Sequence, residues 1–89
     1  MTLIETLQNL SSYSADATIL AEEPWSAAAR AVVREFATET PVAAMIDEGR
    51  SYFLEVSIAR ELTEDLHSAG LNDPLAVCAR LISYAVNDA

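Results

Sequence analysis

The amino-acid sequence predicts an all-α fold: one helical domain over residues 1–89, built as a compact bundle of about four or five short helices. Three observations carry that expectation. Apolar residues recur three and four apart through most of the chain, most clearly from Arg50 to Gly70. There Leu54, Ile58, Leu62 and Leu66 form a row, with Phe53, Val56 and Ala59 beside it. Cap residues and prolines punctuate the chain at Ser26, Thr40-Pro41 and Asp73-Pro74. Only two glycines are present, too few for a turn-rich β-sandwich.

Taken in order, Thr2-Leu3-Ile4-Glu5 has the form of a capping box and opens a helix with Leu3, Ile4, Leu7 and Leu10 on one side. Ser11, Ser12 and Ser14 weaken it, because short hydroxyl side chains compete for backbone hydrogen bonds. Residues 15–22 suit helix or strand and are read as helix. Glu23-Pro24 breaks the chain, since proline holds its predecessor extended. Ser26 then caps a helix from Ala27 to about Glu39, with Ala29, Val32, Val33 and Phe36 inward and Trp25 folded back as a hydrophobic staple. Val42 to Glu48 is a short helix closed by Gly49. Ser51 caps the long helix, and Gly70 suits the left-handed position just past its end.

The final helix, Pro74 to about Val86, is apolar on most of its circumference. Leu75, Cys78, Ile82 and Val86 form one row; Val77, Leu81 and Tyr84 form another. One competing arrangement is α+β, with a β-hairpin around residues 43–58. Leu54, Val56 and Ile58 also alternate with Glu55 and Ser57, and Asp47-Glu48-Gly49 could turn a hairpin. Ala59 to Leu66 continues the helical spacing without a breaker, which favours the helix.

Composition bounds the function. Fourteen acidic residues against five arginines give a net charge of −9, which disfavours direct binding to nucleic acid or anionic membrane. Cys78 stands alone, so no intrachain disulfide forms, and nothing in the first residues resembles a secretion signal. A cytoplasmic protein is expected, and frequent alanine with arginine in place of lysine fits a GC-rich bacterial coding bias. A hydrophobic fraction of 52% is high for so small a domain, so part of the apolar surface is expected to be covered by a second copy. The expected interface is Leu75, Cys78, Leu81, Ile82 and Tyr84, in a homodimer that could also take another protein partner.

No catalytic motif emerges. Glu64 and His67 have the i, i+3 spacing of a helical metal site, with Glu61 one turn earlier, so Glu61, Glu64 and His67 are candidate metal ligands. A lone histidine near a helix C-terminus is better explained by the helix dipole and nearby acids. No metal or cofactor is expected. The sequence therefore suggests a small acidic, non-enzymatic interaction or regulatory module that self-associates. Two alternatives are a metal or enzyme site assembled at a dimer interface, and an acidic mimic of nucleic acid that occupies a basic protein.

Overall fold

The computed structural model describes residues 1–37 and 39–88 and corrects the all-α expectation: the chain is α+β, not a helical bundle. Three α-helices, α1 (Leu3–Gln8), α2 (Val56–Ser68) and α3 (Pro74–Asp88), accompany four strands. The strands are β1 (Thr18–Glu22), β2 (Ala31–Arg34), β3 (Ile46–Asp47) and β4 (Arg50–Glu55). They form one antiparallel sheet in the order β2-β1-β4-β3, curled into a half-barrel.

The first correction falls on residues 15–22. Thr18, Ile19, Leu20 and Ala21 are all buried, as a central strand covered on both faces requires. Ile19 and Ala21 lie in the helix-side core with Leu3, Phe53, Leu54, Val56, Ala59, Cys78 and Leu81. Leu20 is equally inaccessible but stands outside that cluster, beside its cross-strand partners Val32 and Tyr52 on the opposite face.

The curl covers that second face. Arg34 and Asp47 lie on opposite edges of the sheet, which in a flat sheet are about 14 Å apart across the strands and farther along the diagonal. Arg34 Nε nevertheless meets Asp47 Oδ2 at 2.8 Å. The edges are therefore drawn toward each other over Leu20.

The expected helix from Ala27 to Glu39 is also absent. The amino-terminal segment takes up its backbone: Leu3 N–H donates to Ala29 O, Ile4 N–H to Ala27 O, and Ala31 N–H to Met1 O. A turn closed by Ala29 N–H to Ser26 O leads into β2 through Arg30, while Thr38, inside the expected helix, lies outside the described residues. The capping box at Thr2 and Glu5 is present, and the bond from Thr2 N–H holds the Glu5 carboxyl below its ordinary value. The short helix expected at 42–48 is a 3₁₀ turn over Val42–Ala44 followed by β3.

The hairpin alternative is realised from Ile46 to Glu55. Glu48 and Gly49 both have positive φ, 51° and 81°, the two-residue turn whose twist matches the flanking strands. Ser51 is consequently a strand residue, not a helix cap. Register jumps from Ile19 opposite Leu54 to Leu20 opposite Tyr52, leaving Phe53 as a bulge, so Phe53 and Leu54 both reach the core. α2 follows β4 without a loop. Its first N–H groups donate to carbonyls ahead of β1, Val56 to Ala17 (2.9 Å) and Ser57 to Ala15 (3.2 Å), which replaces a side-chain cap.

The carboxy-terminal third matches its expectation. Gly70 has φ 93°, with Gly70 N–H bonded to His67 O and Leu71 N–H to Leu66 O, the paired closure of a Schellman motif. Asp73 Oδ2 accepts from Ala76 N–H at 3.0 Å and starts α3.

Trp25 packs edge-on against Phe53, with centroids 5.0 Å apart and an interplanar angle of 89°, and its Nε1–H donates to Ala21 O at 3.2 Å. Trp25→Ala is expected to cost about 3 kcal/mol in urea unfolding. Trp25→Phe, which keeps a ring but loses the donor, should cost about 1 kcal/mol.

Candidate functional site

Two surfaces hold the residues that the sequence singled out. The first is a cleft of about 490 Å³ between α1, α2 and the start of α3. Ile4, Leu7, Leu10 and Val77 give it an apolar floor, and Arg60, Glu64 and His67 bring one side of α2 to its wall. Arg60 is tied into the fold: its Nε and Nη2 donate to Leu10 O (3.1 and 2.8 Å), and Nη2 also donates to Tyr13 O. One guanidinium thus terminates the 3₁₀ turn over Leu10–Ser12 and fixes it against α2.

Glu64 and His67 share the cleft wall, as their spacing implies, whereas Glu61 is exposed and does not line it. Among the described residues no three His, Cys, Asp or Glu side chains converge as a metal site would require. His67 occupies the last turn of α2, where a cation meets the negative end of the helix dipole.

The second surface is the outer side of α3. Two of the five expected interface residues, Cys78 and Leu81, lie in this chain's own core at 0% and 1% exposure. Ile82 is half-buried against that core. Leu75 (61%) and Tyr84 (36%) face outward, as does Val86 (64%), which the expected interface omitted. Leu75, Ala79, Ile82 and Val86 fall at i, i+4, i+7 and i+11, so they form one stripe along the helix. That spacing was available in the sequence, but the inward side of α3 cuts across both expected rows, taking Cys78 from one and Val77 and Leu81 from the other. Alongside the stripe, Leu62, Leu66, Leu81 and Tyr84 line a shallow groove of about 250 Å³ between α2 and α3, with Asp65 and Arg80 at its edge.

Burial also pushes the Cys78 thiol up from its ordinary pKa, which keeps it protonated and unreactive. Among the described residues no helix is long and apolar enough to cross a membrane. No family model, curated protein or solved structure matches the chain.

Two outcomes follow from this geometry. Arg60→Met removes the side-chain donor from the Leu10 and Tyr13 carbonyls, Leu10 O keeping only the Tyr13 N–H at 3.2 Å, and should cost about 2 kcal/mol by denaturant titration, with the 3₁₀ turn losing amide protection first. Cys78 should react with iodoacetamide only as the chain unfolds, so its labelling rate should track the unfolded fraction across a urea series.

Proposed function

We propose that this chain is a non-enzymatic protein-interaction domain that self-associates through the outer face of α3 and works in the cytoplasm. The observation that carries the reading is the stripe of Leu75, Ala79, Ile82 and Val86, in which only Ile82 is half-covered by the chain itself. Met1, Val42 and Ile46 are exposed as well, but none of them lies on α3. The accessible surface is 5222 Å², close to the about 5,100 Å² expected of a compact monomer of this mass. Association therefore rests on a local patch and not on a half-open core.

Charge sets where such a patch can be. Two chains of −9 repel at long range, so contact is tolerable only where acids stay at the rim. The α3 face meets that condition: the stripe is uncharged, and the groove beside it offers Arg80 together with Asp65, a pairing that a two-fold axis can satisfy between copies. A helix of 15 residues is about 22 Å long, which points to an interface near the low end of stable size and an affinity in the micromolar range.

Sedimentation velocity from low to high micromolar concentration should show a reversible monomer–dimer equilibrium. Leu75→Glu and Val86→Glu change exposed positions, so each should abolish the dimer while leaving the melting temperature of the monomer unchanged. A wild-type monomer that shows no concentration dependence would overturn the reading.

A further inference from the structure

The cleft between α1, α2 and the start of α3 holds two polar groups that the fold leaves short of partners, and both are donors. The first is Arg60. Its Nε and Nη2 are spent on the carbonyls of Leu10 and Tyr13, which are neutral acceptors. Among the described residues its Nη1 makes no hydrogen bond, and no carboxylate pairs with the guanidinium. The chain has fourteen acidic residues, yet this half-buried positive charge is answered only by carbonyl dipoles.

The second is Thr63, one turn further along the same side of α2 and lining the same cleft. A threonine within a helix commonly returns its hydroxyl to the carbonyl four residues back, which here is that of Ala59. Thr63 Oγ1 does not: it is enclosed and has no hydrogen-bond partner among the described residues. An enclosed hydroxyl in that state is costly. Helical threonine has two accessible χ1 positions, so the hydroxyl can turn toward the cleft and bond a ligand there.

The remaining walls say what such a ligand carries besides an acceptor group. Ile4, Leu7, Leu10 and Val77 form the floor, and a volume of about 490 Å³ is within the usual range for a small-molecule pocket. Both Arg60 and His67 line the cleft, and the stretch of α2 between them is about 10 Å long. A compact inorganic anion would leave most of that apolar floor uncovered. A cation is disfavoured by Arg60, and Glu64, the one carboxylate lining the cleft among the described residues, is exposed at its rim.

We infer that this cleft binds a medium-chain aliphatic monocarboxylate. The carboxylate sits on Arg60 Nη1 and the Thr63 hydroxyl, and the hydrocarbon lies along Leu10, Leu7 and Val77. Charge assistance from the guanidinium and the removal of apolar surface from water act on opposite ends of the same molecule. The site lies within one chain and away from Leu75 and Val86, so binding here does not depend on self-association through α3.

The test is an NMR titration of the full chain with octanoate, beside octan-1-ol of the same chain length. Octanoate should bind one to one, with amide shifts confined to the neighbourhoods of Leu7, Leu10, Arg60, Thr63 and Val77. Octan-1-ol, which lacks the charge, should bind at least about tenfold more weakly. Because loss of Arg60 also loosens the fold, the deciding variants lie beside it. Thr63→Val removes a hydroxyl that has no partner in the free chain, so it should not lower the melting temperature, yet it should weaken octanoate by about fivefold. Glu64→Gln removes the rim carboxylate and should tighten octanoate by about threefold, whereas Glu61→Gln, the same charge change at an exposed position off the cleft, should have a smaller effect. The inference is overturned if octan-1-ol binds as tightly as octanoate, if Thr63→Val leaves octanoate affinity unchanged, if Glu61→Gln tightens binding as much as Glu64→Gln, or if the shifts map to the α3 stripe instead of the cleft.

Discussion

β1 asks for cover on both faces. Ile19 and Leu20 point in opposite directions, and each is fully buried, a placement worth about 2 kcal/mol or more per side chain relative to exposure. In a large α/β protein, helices would lie on both sides of such a strand. An 89-residue chain has material for only one helical layer. The three helices take the Ile19 side, and the sheet itself curls to shield the Leu20 side, with Arg34 and Asp47 meeting across it. That ion pair is partly exposed and contributes little energy by itself. Its geometry records how far the edges have been drawn together.

The Phe53 bulge links the two layers. By letting consecutive residues Phe53 and Leu54 both enter the core, it gives Trp25 a ring to pack against and turns β4 directly into α2. Continuing from strand to helix without a loop leaves the first N–H groups of α2 in need of acceptors, and the carbonyls of Ala15 and Ala17 supply them. The start of α2 and the start of β1 are thus held together. Asp16 and Glu55 come to one pocket as a by-product of that junction, although they are far apart in sequence.

What the sequence revealed follows from how each segment is buried. α3, Asp73, Gly70 and the Thr2 capping box were legible because helix ends are written in local chemistry that tertiary packing leaves intact. β1 was not: Thr18-Ile19-Leu20-Ala21 has no alternation, since both faces are covered, and a short continuous apolar run cannot be told from buried helix. In β4 the bulge erases the two-residue period just where it would have separated strand from helix, so the helical spacing that begins at Val56 seemed to extend back through Leu54. At Ala27–Ala31 the deciding partner is the amino-terminal segment, which no local pattern announces. The same limit applies to the sites. The apolar character of α3 was visible, but which of its residues face outward depends on α1 and α2, and the inward side draws on both expected rows.

The claim on which the rest stands is that β1 is the innermost element and that two different devices cover its faces. Native-state hydrogen exchange tests this directly, because amides in the most enclosed element exchange only through global unfolding. The ladder amides of β1 between Thr18 and Glu22 should be the slowest in the chain and should show the full denaturant dependence of global unfolding. β3 and the amino-terminal helix α1 should open earlier. If amides of α2 or α3 outlast those of β1, or if β1 exchanges as readily as the two-residue strand β3, the helices form the true core and this account of the fold is wrong.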